Sequence, residues 1–259
     1  MIGVISDGSA LPEQDRLELA LLSQARWLKG HGSLDAVTAV VASADKVLPD
    51  VLAAECGGTP VYFLVFTQAD RAWPLRQSLE AAGNAVITDG DVRATLATAH
   101  MLTALRERGQ PVDRAAVVIA GSDEIFELGP LLTSVGALSL TFWRDADATA
   151  FPLARVAQEA DVLVDARAHR TQVRWEPGRP GPTVLPLPSL ADARGVLPGL
   201  FTAVYQERLR RVDVDALAAV AQLLSTTMPA GSRFSTPDVT LTDSITWAVR
   251  QASRYPRGG

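Results

Sequence analysis

The run "TPVYFLVF" at residues 59–66 constrains this chain more than any other stretch. Its apolar residues do not alternate with polar ones, so neither face of such a strand can meet water. A strand of this kind needs helices on both sides, and the flanking sequence supplies them in order. "MIGVIS" reads as a strand. Residues 12–29 read as a helix, with Pro12 in its first turn and apolar residues at helical spacing. "DAVTAVVAS" reads as a strand and "DKVLPDVLAAE" as a helix interrupted by Pro49. "ADRAWPLRQSLEAAG" is a predicted helix, "NAVIT" a strand, and "DVRATLATAHMLTALRERG" a long helix stopped by Gly109 and Pro111. The alternation continues with the strand "AAVVIAG" and a helix over "SDEIFELGPLLTSVG". The strand "ALSLTFW", the helix "PLARVAQEA" and the strand "DVLVDA" follow. Alternation at these lengths predicts an α/β protein built on parallel sheet. After residue 170, "RTQVRWEPGRPGPTVLPLPS" reads as loop with one or two short strands, and helices are predicted near 195–211, 213–227 and 240–254.

Composition excludes several classes of function. A net charge of −5 over 259 residues gives no general basic field for nucleic acid or an acidic membrane. No apolar run approaches the roughly 20 residues of a membrane helix. The N-terminus lacks the basic and apolar regions of a signal peptide. Cys56 is the only cysteine, which rules out an internal disulfide and fits a reducing compartment, so a cytoplasmic location is expected. Lysine occurs only at 29 and 46, asparagine only at 84, and histidine at 31, 100 and 169. These scarcities limit the chemistry the chain can perform.

Open α/β sheets place ligands at the carboxyl ends of their strands. The residues expected there include Asp7, the cluster Asp89, Asp91 and Arg93, the turn Gly121, Ser122 and Asp123, and the group Asp165, Arg167 and His169. Asp89, Asp91 and His169 are the candidates for acid–base work. Asp7, Arg93, Asp165 and Arg167 are candidates for holding a small ligand. The alternative for "ITDGD" is that Asp91 caps the following helix and Asp89 shapes the turn. The alternative for "VDARAHR" is a solvated loop. "VVIAGSDEIF" resembles a dinucleotide-binding turn with one glycine left, since Asp123 and Phe126 stand where further glycines belong. A carboxylate about 4 Å from a phosphate charge is opposed by ~4 kcal/mol at an effective dielectric near 20. The bland alternative is an ordinary capped helix after a strand, with Asp123 and Glu124 complementing its dipole. No metal-binding, Walker or nucleophile-elbow motif is present.

Several segments, in order, resemble bacterial malic enzymes. They are "VISDGSA" (4–10), "QARWLKGHGSLDAV" (24–37), "NAVITDGDVRATLATAHMLTAL" (84–105), "AAVVIAGSDEIFELGPLLTSVGA" (115–137) and "RGVLPGLFTAVYQERLRRVDVDALAAVAQLL" (194–224). The resemblance implies a three-layer α/β chain in three parts. Residues 1–90 would be a remnant of the substrate domain and 91–211 a Rossmann-like domain. Residues 212–259 would be helices packing back on the first part. It also implies emptied chemistry. The chain starts at the family's middle, without the region that carries the family's catalytic tyrosine. The family's general-base lysine falls at Gln24, and Lys29 lies about 140° round the helix from it. The family's metal-binding acids fall near Val65, Phe66 and Gly90, and its substrate-binding asparagine pair falls at Arg194 and Gly195. The leading expectation is a protein without metal- or NAD-dependent oxidative decarboxylation. It would serve as a homodimeric binding, scaffolding or regulatory protein for a protein partner or a small acidic metabolite. The alternatives are metal-free acid–base catalysis in the old cleft, or residual NAD(P) binding; no cofactor is the leading expectation.

Overall fold

The computed structural model describes residues 1–11, 13–41, 52, 55–167, 173, 175, 181–229 and 232–254. Two four-stranded parallel sheets organise them. The first contains β1 (Ile2–Ser6), β2 (Ala36–Val40), β3 (Val61–Leu64) and β4 (Ala85–Thr88), in the order β2-β1-β3-β4. The second contains β5 (Ala116–Ala120), β6 (Ser139–Trp143), β7 (Val162–Asp165) and β8 (Thr183–Pro186), in the order β6-β5-β7-β8. In each sheet the chain goes out to one side of the first strand and then returns to the other. This creates a switch point between β1 and β3, and another between β5 and β7.

The run that opened the sequence analysis behaves as a doubly covered strand. Val61 and Phe63 of β3 face the largest core, while Tyr62 and Leu64 face a second core under α2 (Ala69–Ala81). Helix α1 (Gln14–Gly32) closes the other side with Leu17, Leu21 and Leu28. Gly3 is required where Tyr62 crosses β1, since a Cβ there would stand 2.7 Å from the ring.

Helix α3 (Asp89–Glu107) joins the sheets and buries twelve of its residues, from Asp91 to Leu105. The largest core runs from β1 and β3 through α3 to β5 and β7. The second half adds α4 (Leu128–Ser134), α5 (Leu153–Val156) and α6 (Leu190–Ala193), then α7 (Leu197–Glu207), α8 (Val214–Thr227) and α9 (Val239–Arg254). The contacts show how the C-terminal helices pack. α8 lies on α3 and α4, and α9 lies on α7 and α8. α7 reaches back to the first half, against α1 and edge-on between Phe201 and Phe63, and ahead of α8 the Val212 carbonyl accepts from Arg76 Nη2. The α7–α9 crossing is close because Gly199 has no Cβ to meet Ile245, and Thr246 Oγ1 donates to the Gly199 carbonyl.

One predicted helix is corrected. The helix expected over 122–136 covers only Leu128–Ser134, and residues 122–127 form turns. A helix starting at Ser122 would carry Pro130 in its interior, where the ring lacks an N–H and clashes with the carbonyl four residues back. In α4 as it stands, Pro130 falls in the first turn, where donors are unpaired anyway. The helix predicted over 45–55 lies almost wholly outside the described residues.

Candidate functional site

The carboxyl ends of the first sheet form a floor of interlocked turns. Ser6 Oγ donates to the Phe66 carbonyl, the Asp7 amide to Thr67 Oγ1 and the Gln68 amide to Ser9 Oγ. Asp7 accepts from the amide and hydroxyl of Ser9 and pairs with Arg71 at 3.1 Å. Asp7 therefore builds the turn after β1.

Beyond this floor is a cavity of ≈ 400 Å³ between the two sheets. Asp70, Asp89, Asp123, Glu124 and Glu127 line it, with Arg93 as the one cation among the described residues. Arg93 lines the cavity while its Nε donates to the Pro188 carbonyl. Burial pushes the Asp89 carboxyl up to about 6, against the pull of Arg93 and the amides of Phe66 and Gly90.

Asp91 has a different role from its neighbour. Thr88 is the N-cap of α3: its hydroxyl accepts from the Asp91 amide, and Asp91 Oδ2 accepts from the Thr88 amide. This reciprocal cap satisfies two donors that a helix start otherwise leaves open. Arg76 Nη1 then takes both Asp91 oxygens, at 2.9 and 3.0 Å, and its Nε donates to Glu80. Every strong site on Asp91 is engaged. The pattern Thr88-x-x-Asp91 was visible in the sequence and assigns this role.

Sequence reasoning missed Glu127. It follows β5 in the second half, yet its carboxylate crosses to the start of α3 and accepts from Thr88 Oγ1 at 3.1 Å. Gly90 makes room, since a Cβ there would stand 2.5 Å from the Glu127 carboxyl carbon. Burial, and then the charge of Asp91, push Glu127 up to about 7, against its own amide and the Thr88 hydroxyl. Among the described residues no cation pairs with it. Asp89 and Glu127 thus form two raised carboxyls on one cavity wall.

The switch point of the second sheet is packed. Gly121 has φ +74, and a Cβ there would come within 2.9 Å of the Arg167 backbone nitrogen. The amides of Gly121 and Ser122 both donate to the Trp143 carbonyl, at 2.9 and 3.4 Å. The Glu124 amide closes the turn onto the Gly121 carbonyl. Asp123 and Glu124 are exposed in this turn and do not cap a helix. The solvated loop considered for "VDARAHR" is corrected at its start. Asp165 and Arg167 are buried, with Arg167 Nε and Nη2 each 2.9 Å from a different Asp165 oxygen. The Arg167 guanidinium also lies 5.9 Å from the centre of the Trp143 ring. His169 lies outside the described residues.

This arrangement can be set beside known structures. No protein-family model matches the chain, and no curated protein matches its sequence. Solved structures do match. A malic enzyme from Pyrococcus horikoshii aligns over 98% of this chain and 76% of its own, at 15% identity and a TM-score of 0.72. An NAD-dependent malic enzyme from Thermotoga maritima aligns over 96% and 83%, at 14% identity and a TM-score of 0.76. The Entamoeba histolytica malic enzyme gives 98% and 69%, at 15% identity and 0.75. The fold is that of the malic enzymes.

Within the malic-enzyme fold, the positions that the sequence resemblance singled out have definite surroundings. Gln24 is buried on α1, and its Oε1 has no hydrogen-bond partner. One turn on, Trp27 is stacked by His31 and lies 4.9 Å from the Arg194 guanidinium carbon. Gly195 is pressed against the Phe234 carbonyl, which a Cβ would meet at 2.6 Å. Val65 is fully buried, and Phe66 turns the chain with φ +53. Among the described residues no group of three or more His, Cys, Asp or Glu side chains could hold a metal ion. Among them, too, no helix is long and apolar enough to cross a membrane.

Proposed function

We propose that this malic-enzyme-like protein has lost metal- and NAD-dependent oxidative decarboxylation and works by binding a ligand or partner, in a regulatory or scaffolding role. The observation that carries the reading is the second sheet's switch point. A pyrophosphate there would need free backbone amides and a helix N-terminus. The Gly121 and Ser122 amides are spent on the Trp143 carbonyl, and the next helix starts only at Leu128. The Gly121 backbone also abuts that of Arg167, so the residues present do not fit a dinucleotide held in that way. The donor set does not fit a divalent ion either. Val65 and Phe66 offer no side-chain oxygen where the family resemblance puts metal-binding acids, and Gly90 is covered by the Glu127 carboxyl. Calorimetric titration with NAD(H) and NADP(H), followed by a malate assay with magnesium or manganese, tests the reading. Silence in both is expected; saturable heat with NAD(P)-linked turnover would overturn it.

One observation favours a second reading, metal-free acid–base chemistry. Asp89 and Glu127 line the same cavity with raised carboxyls, the condition for a general acid or base working near neutral pH. Turnover of a screened 2-oxo or 2-hydroxy acid that disappears in Asp89→Asn would favour it over the first.

A further inference from the structure

A second cavity, ≈ 240 Å³, lies on the other side of Phe126 and Glu127 from the cleft. Its walls are unusual for a protein surface. Trp73 on α2 and Phe126 before α4 both line it, and they are 54% and 45% exposed. Two large aromatic side chains left open on the wall of one cavity favour an apolar ligand there. Val212 and Leu217 complete the apolar lining.

The buried polar groups around this cavity have charged partners or cap a helix, with one exception. Arg76 is committed to Glu80, to Asp91 and, through Nη2, to the Val212 carbonyl. Asp213 caps α8 by accepting from the Ala216 amide. Arg211 is exposed at the rim. Glu127 accepts from two neutral donors, the Thr88 hydroxyl and its own amide, and faces two other carboxyls, Asp89 and Asp91. A partly buried carboxyl with no countercharge holds its own proton or is stabilised by a cation brought from outside. Four carboxylates and two guanidiniums ring the cavity, so its charge also favours a cation.

We propose that this cavity binds a small organic cation: an ammonium group that pairs with Glu127, carrying a flat apolar substituent that lies between Trp73 and Phe126. Carboxylate and aromatic face act together on such a ligand, the first by a charge-assisted hydrogen bond and the second by cation–π attraction. The cavity meets the cleft at Phe126 and Glu127, which line both, and is otherwise walled by different residues.

The test uses four probes of graded chemistry: phenethylammonium, 2-phenylethanol, 3-phenylpropionate and methylammonium. Binding to the full chain is followed by calorimetry and ligand-observed NMR at pH 8. Phenethylammonium should bind about tenfold or more tightly than the alcohol. Methylammonium and the propionate should bind more weakly still. Glu127→Gln should abolish the preference of ammonium over alcohol. Trp73→Ala, a change at an exposed position, should weaken both. Near pH 6.5 phenethylammonium should displace a proton, so its heat should vary with the ionisation enthalpy of the buffer. The proposal is overturned if ammonium and alcohol bind alike, if the propionate binds best through Arg211, or if no probe saturates by about 10 mM, a weakness of binding that would mean no built site.

Discussion

The position of Glu127 makes a quantitative prediction about stability. Its carboxyl titrates near 4.5 in an unfolded chain and is pushed up to about 7 in the folded one. The folded state therefore binds the proton more tightly, and stability falls as pH rises from 4.5 through 7. At ~1.4 kcal/mol for each pH unit between the two midpoints, the charged form would cost roughly 3 kcal/mol. The side chain is only partly buried, and water in the two adjoining cavities reduces that to about 2 kcal/mol. Glu127→Gln keeps the shape and the acceptor for the Thr88 hydroxyl. The variant should match wild type at pH 4.5 and exceed it by about 2 kcal/mol at pH 8. Urea unfolding at pH 4.5, 6 and 8, with m unchanged, measures the difference directly. Groups remote from Glu127 titrate in both proteins and cancel in the comparison. A difference that stays flat with pH, or a variant less stable at pH 8, would refute the assignment of Glu127 as a carboxyl held without a countercharge.

Three further changes test neighbouring parts of the site. Gly90→Ala places a methyl group 2.5 Å from the Glu127 carboxyl carbon, so the side chain must swing away. Its titration, followed by carboxyl carbon NMR, should move down toward the ordinary glutamate range. Arg167→Met strands a buried Asp165 and should cost about 3–5 kcal/mol in urea unfolding, with much of it recovered by a concurrent Asp165→Leu. Trp143→Ala opens space at the second switch point but leaves the residue 143 carbonyl bonded to the Gly121 and Ser122 amides. Calorimetry should therefore still show no NAD(H) binding; affinity gained by this change would mean that the tryptophan ring alone blocks the dinucleotide.

Most of the fold was legible because layer patterning is a local signal. The unbroken apolar run of β3 predicted cover on both faces, and both cores are there. The alternation of strands and helices predicted parallel sheet, and every strand pairing in the two sheets is parallel. The site was less legible, because its chemistry depends on distant contacts. Asp89 and Asp91 look equivalent in "ITDGD", yet Arg76 and the Thr88 cap engage one and leave the other on the cavity wall. Glu127 could not be recognised at all, since its partner Thr88 is thirty-nine residues away and its room comes from Gly90. Pro130 is the local signal that this helix starts late, since a proline fits a first turn and not a helix interior. The pairing of Asp165 with Arg167 spans two residues, but its burial depends on the close approach of Gly121.

Helix α3 divides its work unevenly along its length. Only its first residues, with Asp89, Gly90 and Arg93, reach the cleft, while the buried residues from Ala94 to Leu105 cement the two sheets together. Residues that could confer an activity and residues that hold the molecule together thus occupy different turns of one element. Substitutions in the first turn can erase or rewrite reactivity and leave the remaining turns untouched. The architecture can therefore outlast its original chemistry. The same separation makes the chain a promising scaffold, in which new reactivity can be installed at one end of a helix whose other end secures the structure.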